Sequence, residues 1–254
     1  MGVSIAVASG KGGVGKTQTT INLGTSLALR GKKVIVVDGN IPTPDIALYL
    51  GIQNTKTLND VLSWKAKPED AVYKIEETGL HVMPASVRLN AVTGFSEKGF
   101  YSLVQKLKKS YDFVLVDSAP GLDLSVINLI KQADKLLLVT NPELVSLADT
   151  YKTAAISETL GKELQGIIIN RVNRFNGEVR NQEISVLLDK RAVIGRVPED
   201  TSLPMAAMNS EPVVTSFPHS PSARAFKRIA AEMLGEKYVE NAFLEHVFHI
   251  LNRR

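Results

Sequence analysis

Short runs of apolar and β-branched residues recur along the chain, each giving way to polar residues: Val3–Ala8, Val34–Val37, Phe113–Val116, Leu136–Val139, Ile167–Ile169 and Val193–Val197, with a weaker run at Leu80–Met83. Between most of them the apolar positions switch to helical spacing, over Thr17–Arg30, Phe100–Ser110, Ser146–Leu160 and Ser222–Leu234. A strand that is apolar at nearly every position has no face to offer water, so both of its faces must be covered, and the intervening helices supply the cover. The expectation is an α/β fold: a single domain with a mostly parallel sheet and helices on both faces. A chain of 254 residues can bury a full core in one such unit. No repeat, low-complexity tract or long polar linker divides it, so residues 1–235 read as one domain and 236–254 as a tail.

In sheets of this kind ligands bind outside the carboxyl ends of the strands. There the sequence places Ser9-Gly10, Asp38, Asp117, Thr140-Asn141, Asn170-Arg171 and Pro198-Glu199-Asp200. The segment after the first strand reads Gly10-Lys-Gly-Gly-Val-Gly15-Lys16-Thr17, a G-x-x-x-x-G-K-[ST] phosphate loop between a strand and a helix. Glycines let backbone N–H groups converge on phosphate oxygens, the helix N-terminus adds partial positive charge, and Lys16 adds a full one. The expected ligands are ATP and Mg²⁺ in a P-loop NTPase fold. Gly10, Gly12, Gly13, Val14, Gly15, Lys16, Thr17 and Gln18 form the cradle, and the Thr17 hydroxyl lies on the metal. Asp38 and Asp117 are candidates to hold the water shell of Mg²⁺; strand-end aspartates also serve as turn residues or helix caps.

Composition removes other chemistries. With no cysteine, disulfides, thiolate catalysis and Cys-ligated zinc or iron–sulfur clusters are excluded. No apolar run reaches the roughly 18 residues of a membrane span. The opening Met1-Gly-Val-Ser-Ile-Ala-Val-Ala lacks the pattern of a signal peptide, which leads us to expect a cytoplasmic protein. The net charge of +4 carries little information alone.

Lys11-Gly-Gly-Val-Gly-Lys16-Thr17 resembles the deviant Walker A motif of the MinD/ParA ATPases, with its second lysine near the start. Val37-Asp38-Gly-Asn40 is similar to that family's switch I, and Asp117-Ser-Ala-Pro-Gly121 to its switch II. Val139-Thr-Asn-Pro-Glu143, Asn170-Arg171 and Val197-Pro-Glu-Asp200 resemble stretches of the MinD branch, and the likeness runs from Val3 to about Leu234. The resemblance implies an ATPase whose ATP-bound form is a homodimer. In it Lys11 reaches the partner's phosphates, Asn170, Pro198 and Asp200 frame the adenine with Arg171 beside them, and hydrolysis separates the subunits. Lys11, Lys16 and Asn40 are the catalytic candidates. Two positions depart from the pattern. Gln18 replaces a usual threonine, which implies altered affinity only. Asn40 stands where the family usually has an aspartate; an amide can orient water but cannot accept its proton, so slow hydrolysis is expected.

Past Gly235, Phe243, Leu244, Val247, Phe248, Ile250 and Leu251 fall on one helical stripe, with Glu245, His246, His249, Asn252 and Arg253 opposite. Such a segment suits an interfacial helix on anionic lipid, aided by Arg253 and Arg254; it would equally suit packing on the chain's own core or on a partner. The MinD branch carries a membrane-targeting helix here. This implies a peripheral protein on the inner face of the cell membrane that positions division or other machinery and answers to a protein activator. The alternative is a ParA-type segregation ATPase binding DNA through Lys106, Lys108 and Lys109, Arg171, Arg174 and Arg180, or Lys190 and Arg191. A flagellar-number regulator of the same family and a small-molecule kinase or synthetase are further readings.

Overall fold

The structure is a computed structural model and describes residues 1–53, 56–87, 96–173 and 178–238. Its strands are β1 (Val3–Ala8), β2 (Val34–Asp38), β3 (Tyr73–Ile75), β4 (Leu80–Met83), β5 (Phe113–Asp117), β6 (Lys135–Thr140), β7 (Glu163–Val172) and β8 (Val193–Pro198). Its α-helices are α1 (Lys16–Ala28), α2 (Ile46–Tyr49), α3 (Leu58–Leu62), α4 (Glu97–Leu107), α5 (Leu124–Gln132), α6 (Leu144–Thr159), α7 (Asn181–Leu187), α8 (Ser202–Met208), α9 (Val213–Ser216) and α10 (Pro221–Met233). The strands form one sheet in the order β3-β4-β2-β5-β1-β6-β7-β8. All neighbouring pairs are parallel except β3 with β4. The expected fold class is therefore present, a single domain whose sheet carries helices on both faces.

Side-chain alternation along each strand divides the core in two. On β1, Ile5 and Val7 join the cluster under α1 and α10, with Leu23, Leu27, Phe226 and Ile229. Ala6 and Ala8 face the other cluster, with Phe100, Leu103 and Val104 of α4 and Val126 and Ile130 of α5. Phe100 and Phe226 are each only 1% exposed, and burying a side chain of that size contributes about 1.5–3 kcal/mol.

Elements the strand and helix patterns had not revealed are short or locally capped. β3 is three residues of antiparallel edge, too few to show a period. Helix α3 starts where the N–H and hydroxyl of Thr57 both donate to the Asp60 carboxylate at 2.9 Å. Helix α5 starts where the Asp123 side chain accepts the Val126 N–H at 3.0 Å.

Helix α1 runs from the phosphate loop to the far edge of the sheet, packing on β2 and α10. Beyond its C-terminus Arg30 donates to Glu236 at 2.8 Å and lies 5.9 Å over the Tyr238 ring. The stripe Phe243, Leu244, Val247, Phe248, Ile250 and Leu251 lies outside the described residues, as does Arg174. Among the described residues, no helix is long and apolar enough to cross a membrane.

Candidate nucleotide-binding site

Parallel register assembles the site. β5 lies between β1 and β2, with Asp117 beside Val7 on one side and Asp38 on the other. The two strand-end aspartates are thus neighbours across one ladder, and the loop leaving β1 passes over them into α1. The Gly39 N–H donates to the Asp117 carbonyl at 2.8 Å, and the Gly121 N–H to the Ser9 carbonyl at 2.9 Å. The segments after β1, β2 and β5 are therefore tied together by backbone bonds.

Glycine is required at Gly15. Its φ of +86° is left-handed, and an added Cβ would lie 2.3 Å from Asn170 Nδ2. Asn170 uses that nitrogen to donate to the Val14 carbonyl at 2.7 Å, so the end of β7 braces the loop. At Gly10 a Cβ would lie 2.6 Å from the Asp149 side chain, which lets the loop press against α6. Lys11, Gly12 and Gly13 are exposed, while Val14 is buried.

Lys16 is buried and donates to Asp117 Oδ1 at 2.8 Å. The Thr17 hydroxyl donates to Asp117 Oδ2 at 2.6 Å, and the Thr20 hydroxyl lies 3.0 Å from Oδ1. Thr20, one helical turn past Lys16, was not among the expected residues, although its spacing puts it on the same helix face. Asp38 is fully enclosed; its oxygens accept the N–H groups of Asn40 at 3.1 Å and Ile46 at 3.3 Å. Burial, then the negative charge of Asp117, push its pKa up to about 7 against the pull of those bonds and of Lys16. Asp45 also rises, first through burial and then through Asp117, with Lys16 opposing. Neither Asp45 nor Tyr49 was expected at this site.

The other expected residues have these partners in the structure. The Asn40 amide donates to the Thr43 carbonyl and lies 3.0 Å from the Thr43 hydroxyl, which donates back to Asn40 Oδ1 at 3.2 Å. Both ends of that side chain are engaged within its own loop. Gln18 lines a small groove with Ile21, Asn22, Tyr49, Leu203 and Pro212. The Asp200 carboxylate accepts from Ser222 N–H at 3.0 Å, Ser222 Oγ at 2.7 Å and Ser202 N–H at 2.9 Å. Those bonds hold its pKa low against the upward push of burial, and they join the starts of α8 and α10. Arg171 adopts a left-handed φ of +57° where β7 shifts register against β8, and lies 3.9 Å from Glu199. Pro198 ends β8, half-buried. Lys11 reaches Glu143 at 3.5 Å on the surface.

These residues fit a Mg²⁺-nucleotide. Among the described residues, no group of three or more acidic, histidine or cysteine side chains could hold a metal alone. Mg²⁺ bound by one or two carboxylates together with phosphate oxygens and water requires no such group. Thr17, Asp117 and Asp38 supply hard oxygen atoms, and Lys16 supplies charge for phosphate. Asn170 Oδ1 and Ser9 Oγ, at the same edge, are buried polar atoms without a hydrogen-bond partner among the described residues, acceptor or donor capacity that a ligand would use.

A family profile described as an AAA domain matches residues 2–166, more than half of the chain. An uncharacterized ATP-binding protein of Methanocaldococcus jannaschii is 38% identical over 239 residues, covering 94% of this chain and 90% of that one. The septum site-determining protein MinD of Bacillus subtilis is 31% identical over 244 residues, covering 93% and 90% respectively. The chain belongs to the MinD/ParA family of deviant Walker A P-loop ATPases. Its fold agrees with that membership: MinD of Pyrococcus horikoshii, solved with Mg-ADP, superposes with a TM-score of 0.87 at 31% identity, covering 98% of this chain and 99% of that one. Of the two lysines of the phosphate loop, Lys16 is enclosed while Lys11 faces outward.

Proposed function

We propose that this protein is a MinD-like ATPase: it binds ATP with Mg²⁺, dimerises through the nucleotide edge, attaches to membrane through residues 236–254, and positions other cellular machinery. The observation that carries the reading is the contrast between the two loop lysines. Lys16 is 7% exposed and paired with Asp117, whereas the side chain of Lys11 is 49% exposed and 3.5 Å from Glu143. A surface pair of that length is worth about 0–1 kcal/mol, so Lys11 leaves it at little cost to meet an anion across an interface. Two polyphosphates brought face to face repel, and a cation from each subunit offsets that repulsion.

Within one subunit, Lys16 would hold terminal phosphate oxygens and Thr17 would turn its hydroxyl to the metal. Asp38 and Asp117 would hold waters of a bound Mg²⁺, whose positive charge would offset that of the phosphates. In this reading Asn170, Arg171, Pro198 and Asp200 frame the base, and what supports it is Asn170 Oδ1, a buried acceptor that an amino group could fill.

The membrane reading rests on the amphipathic stripe of the tail and on the chain's likeness to septum site-determining MinD proteins. Three of the eight basic residues considered for DNA are held in close ion pairs. Lys106 pairs with Glu69 at 2.6 Å, Lys108 with Asp134 at 2.6 Å, and Arg191 with Glu158 at 2.8 Å. Those pairs lower the positive charge that these three residues offer to DNA phosphates.

The test is sedimentation with anionic vesicles in ATP·Mg²⁺ or ADP, with and without residues 236–254, and with duplex DNA in parallel. Pelleting in ATP alone, lost on truncation, is the expected result. Indifference to vesicles with salt-sensitive retention on DNA would move the protein to the segregation class.

A further inference from the structure

The family resemblance puts at position 40 an aspartate that would take the proton of the attacking water, and here that position is an asparagine tied at both ends to Thr43. The other carboxylates of the site are also engaged. Asp117 takes Lys16 and Thr17 and lies 3.0 Å from the Thr20 hydroxyl, and Asp38 takes two backbone N–H groups.

One carboxylate of the loop is uncommitted. Asp45 precedes Ile46, whose N–H donates to Asp38 Oδ2 at 3.3 Å, and that bond folds the loop's far end back onto the site. Asp45 stands at the start of α2 without capping it, and its side chain accepts no hydrogen bond from a described residue. It is half-buried, and the charges of both Asp117 and Lys16 act on it.

We propose that Asp45 is the catalytic base of this chain, orienting the attacking water against the terminal phosphate and taking its proton, while Asn40 holds the loop that presents it. This rests on the ATPase reading above. The water oxygen bonds to the terminal phosphorus, the phosphorus–oxygen bond to ADP breaks with its electron pair staying on ADP, and the water's proton passes to the Asp45 carboxylate and then to solvent. An amide at position 40 and a free carboxylate five residues later thus divide what one aspartate does elsewhere.

The test compares the parent chain with Asp45→Asn and Asp45→Glu in two assays, phosphate release from ATP and equilibrium affinity for a non-hydrolysable ATP analogue and for ADP, both with Mg²⁺. Asp45→Asn is expected to lower turnover at least about tenfold, the smaller end of a general base's contribution. It should also raise the analogue-to-ADP affinity ratio about threefold, because a negative charge beside the terminal phosphate is gone. Asp45→Glu, which keeps the base on a longer stem, should recover part of the turnover. Parent-like turnover in Asp45→Asn overturns the proposal. A parent chain that binds ATP without any turnover sinks the ATPase reading instead, and an unchanged affinity ratio then shows that Asp45 does not face the terminal phosphate, which overturns the proposal as well.

Discussion

The Lys16 ammonium lies 2.8 Å from Asp117 Oδ1, and the two side chains are 7% and 1% exposed. The same carboxylate receives the Thr17 hydroxyl through its other oxygen. Lys16 and Thr17, the residues proposed to meet phosphate and metal, are therefore both held by the aspartate that ends β5, and a nucleotide would compete with Asp117 for each of them. A buried charge pair contributes little net stability when intact but is costly when one partner is removed.

That asymmetry fixes the effect of Asp117→Asn. The variant keeps its shape but leaves Lys16 buried without a counter-charge, and the expected loss is about 3–5 kcal/mol. Added ATP restores negative charge beside Lys16, so in urea denaturation ATP should stabilise the variant more than the parent. A variant within about 1 kcal/mol of the parent would show that Lys16 finds water or another partner.

Asp38 makes the stability of the nucleotide-free protein depend on pH. Its carboxyl ionises at about 7 in the fold and near 3.8 when unexposed to it. Between those values the folded state holds more protons than the unfolded one, so stability falls as pH rises through that window. The total effect is on the order of 4 kcal/mol. Denaturation midpoints from pH 4 to 8 should decline for the parent and flatten for Asp38→Asn; equal slopes would remove Asp38 as the cause.

Lys11→Ala separates dimerisation from binding. Its contact with Glu143 is long and exposed, so the monomer should keep its stability within about 0.5 kcal/mol and most of its nucleotide affinity. Light scattering should show no ATP-dependent dimer. A normal dimer in ATP would rule out the trans role.

Gly15→Ala meets two obstacles together, a left-handed φ of +86° and a Cβ 2.3 Å from Asn170 Nδ2. The strain is about 1–3 kcal/mol, and relief requires Asn170 to give up the Val14 carbonyl. Titration calorimetry with Mg-ADP should show binding lost or reduced by more than tenfold. Parent-like affinity would mean that the loop does not need Asn170.

Much of this was legible in the sequence because strands and strand ends are local signals. Asp38 and Asp117 were picked out as residues where apolar runs stop, and parallel register then set them side by side. The orientation of Asn40 was not legible. It depends on Thr43, whose hydroxyl and carbonyl meet the amide only once the loop has turned. Asp45 was invisible for a related reason: the bond from Ile46 N–H to Asp38 spans eight residues of irregular chain that no period describes. Asp200 shows the opposite limit. Its motif pointed to the base, while Ser222, which takes its carboxylate, lies 22 residues away.

Helix α1 links two ends of the molecule that sequence keeps apart. Thirteen residues long, it is a rod of about 20 Å, with the phosphate cradle at its first turn and, just past its last, Arg30 gripping Glu236 and Tyr238. If the proposed membrane attachment holds, a tether beyond Tyr238 would pull on the end of the lever opposite the phosphate loop. A subunit held this way would keep its phosphate edge standing off from the anchoring surface by roughly the length of that rod, open to a second copy arriving from the side.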